Sequence, residues 1–202
     1  MVHRVKSLEI MYKIFCIGQN KTGTTSLMGA LSMLGYIPCP EDIMYNRGSI
    51  YFQNFKDGNY EELFGLVDQY DVFEDRPWNH TNFYETLHQK YNDVKFILTS
   101  RDVDQWWDSY TIWDKKINLR HMWHYRLNSE VCYGVESFLD NPELSKETYI
   151  NRNNNIRKYF NGNPNFLELD INEDNKLEKL CMFLDKDIPN ELYPHLNQNN
   201  IQ

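Results

Sequence analysis

Apolar positions recur along the chain with two different spacings. Short runs at Ile14-Phe15-Cys16-Ile17, Tyr70 to Asp75, Val94 to Thr99 and Asn165 to Asp170 read as strands. Between them the apolar residues fall at helical intervals, as in Leu27, Ala30, Leu31 and Leu34, or Phe83, Leu87 and Tyr91 within a helix predicted over 81–91. Leu177, Leu180, Cys181 and Leu184 mark a last amphipathic helix. Further helices are expected over Glu61 to Val67, from about Asp104, and over Tyr149 to Phe160, with a helix start at Asn141-Pro142. Tyr36 to Cys39 reads as a short second strand, and 40–60, rich in turn formers, as a loop with a short helix. Strand and helix alternate throughout, so the pattern predicts an α/β fold with a central parallel β-sheet flanked by helices on both faces.

The junction of the first strand and first helix carries the clearest chemistry. Gly18 ends the strand, Gln19 to Thr22 are polar, and the helical spacing begins at Gly23. Strand, glycine-bounded loop and helix form the layout of a phosphate cradle. Backbone N–H groups and the helix N-terminus face an anion, and the glycines let the chain approach it. A three-layer, P-loop-like fold is therefore expected. A nucleotide-hydrolysing loop reads G-x-x-x-x-G-K-[ST]. Gly18 and Gly23 keep that spacing, but Thr24 follows Gly23 and the lysine, Lys21, stands inside the loop. The cradle thus suits a phosphate-like group without the lysine and magnesium arrangement that serves a triphosphate.

Composition narrows the class. A chain of 202 residues with 41% hydrophobic and 25% charged residues suits one soluble domain, with 1–11 as an N-terminal extension and 198–202 as a tail. A net charge of −8 weighs against nucleic acid as a partner and makes any anion site a local exception. No run approaches the roughly 18 apolar residues of a membrane span, and none of signal-peptide length precedes the first strand. No membrane association and a cytoplasmic location are expected. Cys16, Cys39, Cys132 and Cys181 suit neither a zinc site nor a disulfide framework, so free thiols are expected, with Cys16 and Cys181 in the core.

The stretch Lys21-Thr22-Gly23-Thr24-Thr25-Ser26-Leu27, followed by Leu34-Gly35-Tyr36, resembles the 5′-phosphosulfate loop of sulfotransferases that use 3′-phosphoadenosine 5′-phosphosulfate (PAPS). Arg101 just after a strand and Ser109 eight residues on resemble the pair that holds the 3′-phosphate in that family. Ile188-Pro189 and Tyr193-Pro194-His195-Leu196-Asn197 resemble the close of the same branch, so the likeness runs from about residue 13 to 197. The resemblance implies a PAPS-dependent enzyme in which Lys21 serves the leaving oxygen. Thr22, Gly23, Thr24, Thr25 and Ser26 would bind the 5′-phosphate, and Arg101 and Ser109 the 3′-phosphate. It implies no metal, and a hydroxyl or amine of a small molecule or glycan as acceptor. Golgi-resident members carry an N-terminal anchor; none is visible here, which weighs against lumenal glycans.

A hydroxyl acceptor also gains from a general base. The carboxylates at the end of the Tyr70 to Asp75 run, Glu74 and Asp75, are the natural candidates, with Asp75 preferred. Strand alternation would turn only one of them to the crevice. His80 and His195 are weaker candidates. Plainer roles stand beside these: Asp75 paired with Arg76, or Arg101 paired with Asp102 or Asp104 on the surface. The aromatic stretch 106–133, with Trp106, Trp107, Tyr110, Trp113, Trp123, Tyr125 and Tyr133, is expected mainly to pack helices on the sheet, with some members lining an acceptor cleft. Competing functions are a small P-loop kinase or NTPase, which Thr24 opposes, and a nucleotide-binding module without turnover.

Overall fold

The structure, a computed structural model, describes residues 12–40 and 53–196, apart from the side chains of 123, 124 and 127. The extension 1–11, most of the 40–60 loop, Asn197 and the tail therefore lie outside the described residues. Four strands, β1 (Lys13–Cys16), β2 (Val72–Phe73), β3 (Val94–Ser100) and β4 (Phe166–Asp170), form one sheet in the order β2-β1-β3-β4. Every neighbouring pair is parallel. The chain leaves β1 for β2 on one side and then crosses to β3 on the other. Such a reversal opens a crevice at the carboxyl ends of the two central strands.

Alternation along the strands separates two cores. Phe15, Ile17, Phe73, Phe96 and Leu98 face one side, where α2 (Glu61–Val67), α3 (Phe83–Lys90) and the end of α6 (Pro142–Tyr159) cover them with Leu63, Leu87, Ile156 and Phe160. Ile14, Cys16, Val72 and Ile97 face the other side, under α1 (Thr24–Met33) and α7 (Lys176–Leu184). Of the helical positions read from the sequence, Leu27, Ala30, Leu31, Leu177, Leu180, Cys181 and Leu184 are buried and Leu34, just past the end of α1, is partly buried. Helices on both faces of a parallel sheet give the three-layer α/β architecture expected. All four cysteines are free thiols, Cys16 and Cys181 being buried.

A third cluster stands off the sheet. Trp106 and Tyr110 of α4 (Val103–Ile117) pack with Tyr125 and Tyr133 of α5 (Trp123–Tyr133), Phe138 and Tyr149. Most of the aromatic stretch is spent here, joining α4, α5 and α6 to one another rather than packing them on the sheet as expected. Asp102 starts α4 by accepting hydrogen bonds from the Asp104 and Gln105 amides, both 3.1 Å, an N-cap that satisfies two orphan donors. Pro142 opens α6 at its first turn, as the helix start read at Asn141-Pro142 implies, and the helix runs unbroken through the periodic stretch from Tyr149 to Tyr159.

Two strand expectations are corrected. Tyr36 to Cys39 contributes only a bridge, Pro38 to Val72. The run from Tyr70 pairs for two residues rather than six, and two residues beyond Phe73 the backbone at Asp75 is left-handed at φ 57°, which a strand cannot include. No described helix is long and apolar enough to cross a membrane.

Candidate active site

The loop between β1 and α1 is fixed to β3 from below. Thr22 is buried; its hydroxyl donates to the Gln19 carbonyl at 2.6 Å and shares a hydrogen bond with the Thr99 hydroxyl, also 2.6 Å. The Thr22 side chain is thus committed to the scaffold. Gly23 precedes the helix at φ 95°, a conformation open to glycine at little cost. The amides of the first turn of α1 have no intrahelical partners. Neither a capping side chain nor an acidic residue in that turn offsets the positive helix end.

Two cations converge on this end. Lys21 lies with Nζ 5.2 Å from the Trp113 ring centroid. Burial, and then the positive charges of Arg101 and Lys116, pull its ammonium below the ordinary lysine range. Such a site favours a negative guest, which restores what burial and like charge remove. Arg101 follows β3 directly. Its backbone is clamped by one hydroxyl, Tyr149 Oη, which accepts from the Arg101 amide at 3.0 Å and donates to the Arg101 carbonyl at 2.9 Å. Arg101 Nη1 donates to the Lys21 carbonyl at 3.3 Å. Its Nε is buried without a hydrogen-bond partner among the described residues, as expected of a donor kept for an anion.

These groups share a cleft of about 530 Å³. Lys21, Thr22, Gly23, Thr24, Thr25, Ser26, Arg101, Ser109 and Asp75 all line it. Some hydroxyls have other work, however. The Ser26 hydroxyl accepts from the Leu196 amide at 3.0 Å and donates to the Leu196 carbonyl at 3.5 Å, so it is engaged with the C-terminal strap. The surface pairings weighed for Arg101 do not form: Asp102 caps α4 and Asp104 pairs with Lys146 at 2.7 Å.

Both Glu74 and Asp75 contribute to the lining of the cleft. Alternation applies only to extended backbone, and Asp75 is not extended. Its Oδ1 accepts from Asn20 Nδ2 at 3.0 Å and lies 3.6 Å from Arg76 Nε, so the pairing with Arg76 coexists with the cleft position. His80 sits instead in the core, its Nδ1 2.8 Å from Cys132 Sγ. Burial, then Arg76 and Arg152, push its pKa well down, so it is neutral. His195 lines the cleft.

Sequence reasoning missed Asn20, Ile171 and Lys176 and gave Tyr193 of the closing motif no role; all four line the cleft. It also missed how the C-terminal strap is seated. A Cβ on Gly29 would lie 3.1 Å from Leu196 Cδ1 and 3.3 Å from Pro194, so the strap runs against α1 where a side chain is absent. An isolated glycine inside a helical pattern was the available signal. Of the aromatic stretch, Trp113 reaches the cleft. Among the described residues no group of three or more His, Cys, Asp or Glu is placed to hold a metal ion.

Comparison with known protein families returns one finding. The family model described as a sulfotransferase domain matches residues 13–201, nearly the whole chain. No curated protein matches the sequence.

Proposed function

Because this chain belongs to the sulfotransferase domain family, and so to proteins of sulfuryl transfer in general, we propose that it uses PAPS as donor and a hydroxyl or amine of a small molecule or glycan as acceptor. The observation that carries this is the meeting of Lys21, Arg101 and the uncapped start of α1 in one cleft, with a buried guanidinium Nε aimed at no protein acceptor. Three sources of positive potential at the carboxyl edge of a parallel sheet suit a doubly phosphorylated nucleotide better than a neutral ligand.

When bound, the donor supplies the sulfuryl group and a bisphosphate leaving group. The amides of the α1 start and the hydroxyls of Thr24 and Thr25 hold the 5′ side. Arg101, with a planar fork of donors, and Ser109 hold the 3′-phosphate. Lys21 places its ammonium at the bridging oxygen, where charge grows as the bond to sulfur breaks. Asp75 takes the acceptor's proton as the new bond to sulfur forms. Its Oδ1 carries the Asn20 and Arg76 contacts, so Oδ2 is the oxygen assigned to that proton.

The direct test incubates the purified protein with PAPS and a panel of hydroxyl and amine acceptors, and reads sulfated product and released 3′,5′-adenosine bisphosphate by mass spectrometry. Transfer is expected, slowed by about 10²- to 10⁴-fold in Asp75→Asn and lost in Lys21→Ala. Bisphosphate binding without transfer to any acceptor would turn the proposal into that of a nucleotide-binding module, and absence of both would leave only the fold.

A further inference from the structure

The carboxylate assigned above as proton acceptor stands on no regular element. β2 ends at Phe73, and Asp75 is held left-handed at φ 57° two residues beyond it. A side chain in that position needs partners outside the sheet. Asn20, a residue of the phosphate loop, supplies one: its Nδ2 donates to Asp75 Oδ1 at 3.0 Å.

Asn20 is itself held from the other side. Its carbonyl accepts from Trp106 Nε1 at 3.0 Å. Trp106 is fully buried and stacks on Tyr149, with centroids 4.3 Å apart and planes 13° from parallel. Tyr149 is the residue whose hydroxyl clamps the Arg101 backbone. One residue of the loop therefore bonds the Asp75 carboxylate through its side chain. Through its backbone, and by way of Trp106 and Tyr149, it is tied to the strand end that carries Arg101. The turn after Asp75 is fastened to the same loop. Asn79 Nδ2 donates to the Gly18 carbonyl at 3.3 Å, and buried Arg152 donates through Nη2 to the carbonyls of Ile17 (2.8 Å) and Asn79 (2.7 Å).

We infer that Asn20 is a positioning residue that fixes the Asp75 carboxylate in register with the donor loop, an inference that rests on Asp75 being the base. In-line transfer demands that the acceptor, aligned by the base, and the leaving oxygen, aligned by the loop, keep a fixed separation. Holding both from one loop residue achieves this. A side-chain amide suits the task. It donates to one carboxylate oxygen without adding charge, and it leaves the other oxygen for the acceptor's proton.

The test is a double-mutant cycle on the full chain, with bisphosphate affinity measured alongside. Asn20→Ala is expected to lower kcat by about 10- to 100-fold, the scale of a small misplacement at a reacting centre, while 3′,5′-adenosine bisphosphate binds as to the wild type. On an Asp75→Asn background the same substitution should add little, since it acts through the carboxylate. Asn20→Asp, equal in size but facing Asp75 with a second carboxylate, should be at least as damaging as the alanine. Multiplying effects in the double variant, or weakened bisphosphate binding in Asn20→Ala, would show a merely structural loop residue and overturn the inference. Wild-type turnover in Asp75→Asn would instead remove the base assignment beneath it. In ¹⁵N-labelled protein, the Asn20 side-chain amide signals, identified by their loss in Asn20→Ala, should move on Asp75→Asn. Signals that stay in place would deny the contact and overturn the inference without any turnover assay.

Discussion

Gly18→Ala puts the packing of the cradle to a direct test. Gly18 is the point where β1 gives way to the loop, and β3 passes it without clearance. A Cβ built there would fall 2.0 Å from Thr99 Oγ1, 2.7 Å from the Thr99 carbonyl oxygen and 2.8 Å from the Thr99 nitrogen. Rotation of Thr99 could relieve the first contact, at the expense of its hydrogen bond to Thr22. The other two are backbone, so the strands themselves must part. Overpacking of this kind costs about 1–3 kcal/mol, and the hydroxyl pair adds about 1 kcal/mol. A loss of about 3 kcal/mol is a large share of the roughly 5–15 kcal/mol that holds a domain together. The melting temperature should fall by about 6–12 °C at this chain length, and urea unfolding followed by tryptophan fluorescence should give the same loss. Bisphosphate binding by the folded fraction should weaken as well, because the loop moves with Gly18. Gly65→Ala is the control. Gly65 lies inside α2, a Cβ there meets nothing within 4 Å, and the substitution should stabilise by about 0.4–1 kcal/mol. Thr99→Ala in the Gly18→Ala background should restore only part of the loss, since the backbone contacts persist. A Gly18→Ala protein within about 0.5 kcal/mol of wild type, the range of an ordinary surface change, would refute the reasoning.

Two other perturbations follow from the anion site. Arg101→Ala should weaken 3′,5′-adenosine bisphosphate by about 10- to 150-fold, the equivalent of the 1.5–3 kcal/mol of a charged hydrogen bond, and should leave adenosine 5′-monophosphate almost unaffected. Calorimetry showing equal losses for the two nucleotides would place Arg101 away from the 3′-phosphate. Lys21 is held below the ordinary value of 10.5 by burial, then Arg101 and Lys116. It therefore sheds its positive charge earlier as pH rises, and anion affinity must fall on the alkaline side, starting below the usual lysine range. Lys21→Arg stays charged throughout and should flatten that decline, although its geometry lowers turnover; an identical pH profile in both proteins would contradict the assignment.

The parts of the fold legible in the sequence were those set by local rules. β1, the glycine-bounded loop and α1 follow from a buried run, two glycines and a helical stripe that all agree, and β3 and α7 are similarly self-consistent. β2 was overread because Tyr70 to Asp75 has strand-like residues, whereas pairing stops where Asp75 turns left-handed, a tertiary choice held by Asn20 and Arg76. The aromatic stretch gave no hint that it builds a separate cluster off the sheet, because periodicity does not say which helix a face will meet. Within the cleft, the loop residues could be found by spacing, and the Arg101 and Ser109 pair only through the resemblance to sulfotransferases. Asn20, Tyr193 and the strap across Gly29 could not, since each depends on contacts between residues far apart in the chain.

The most direct measurement is calorimetric titration of the purified protein with 3′,5′-adenosine bisphosphate in EDTA, beside ATP with magnesium. Metal-independent binding of the bisphosphate, greatly weakened by Lys21→Ala, with little response to magnesium-ATP, is the expected result. Binding of magnesium-ATP in place of the bisphosphate would contradict the assignment of PAPS as donor and make phosphoryl transfer the better account of the cleft.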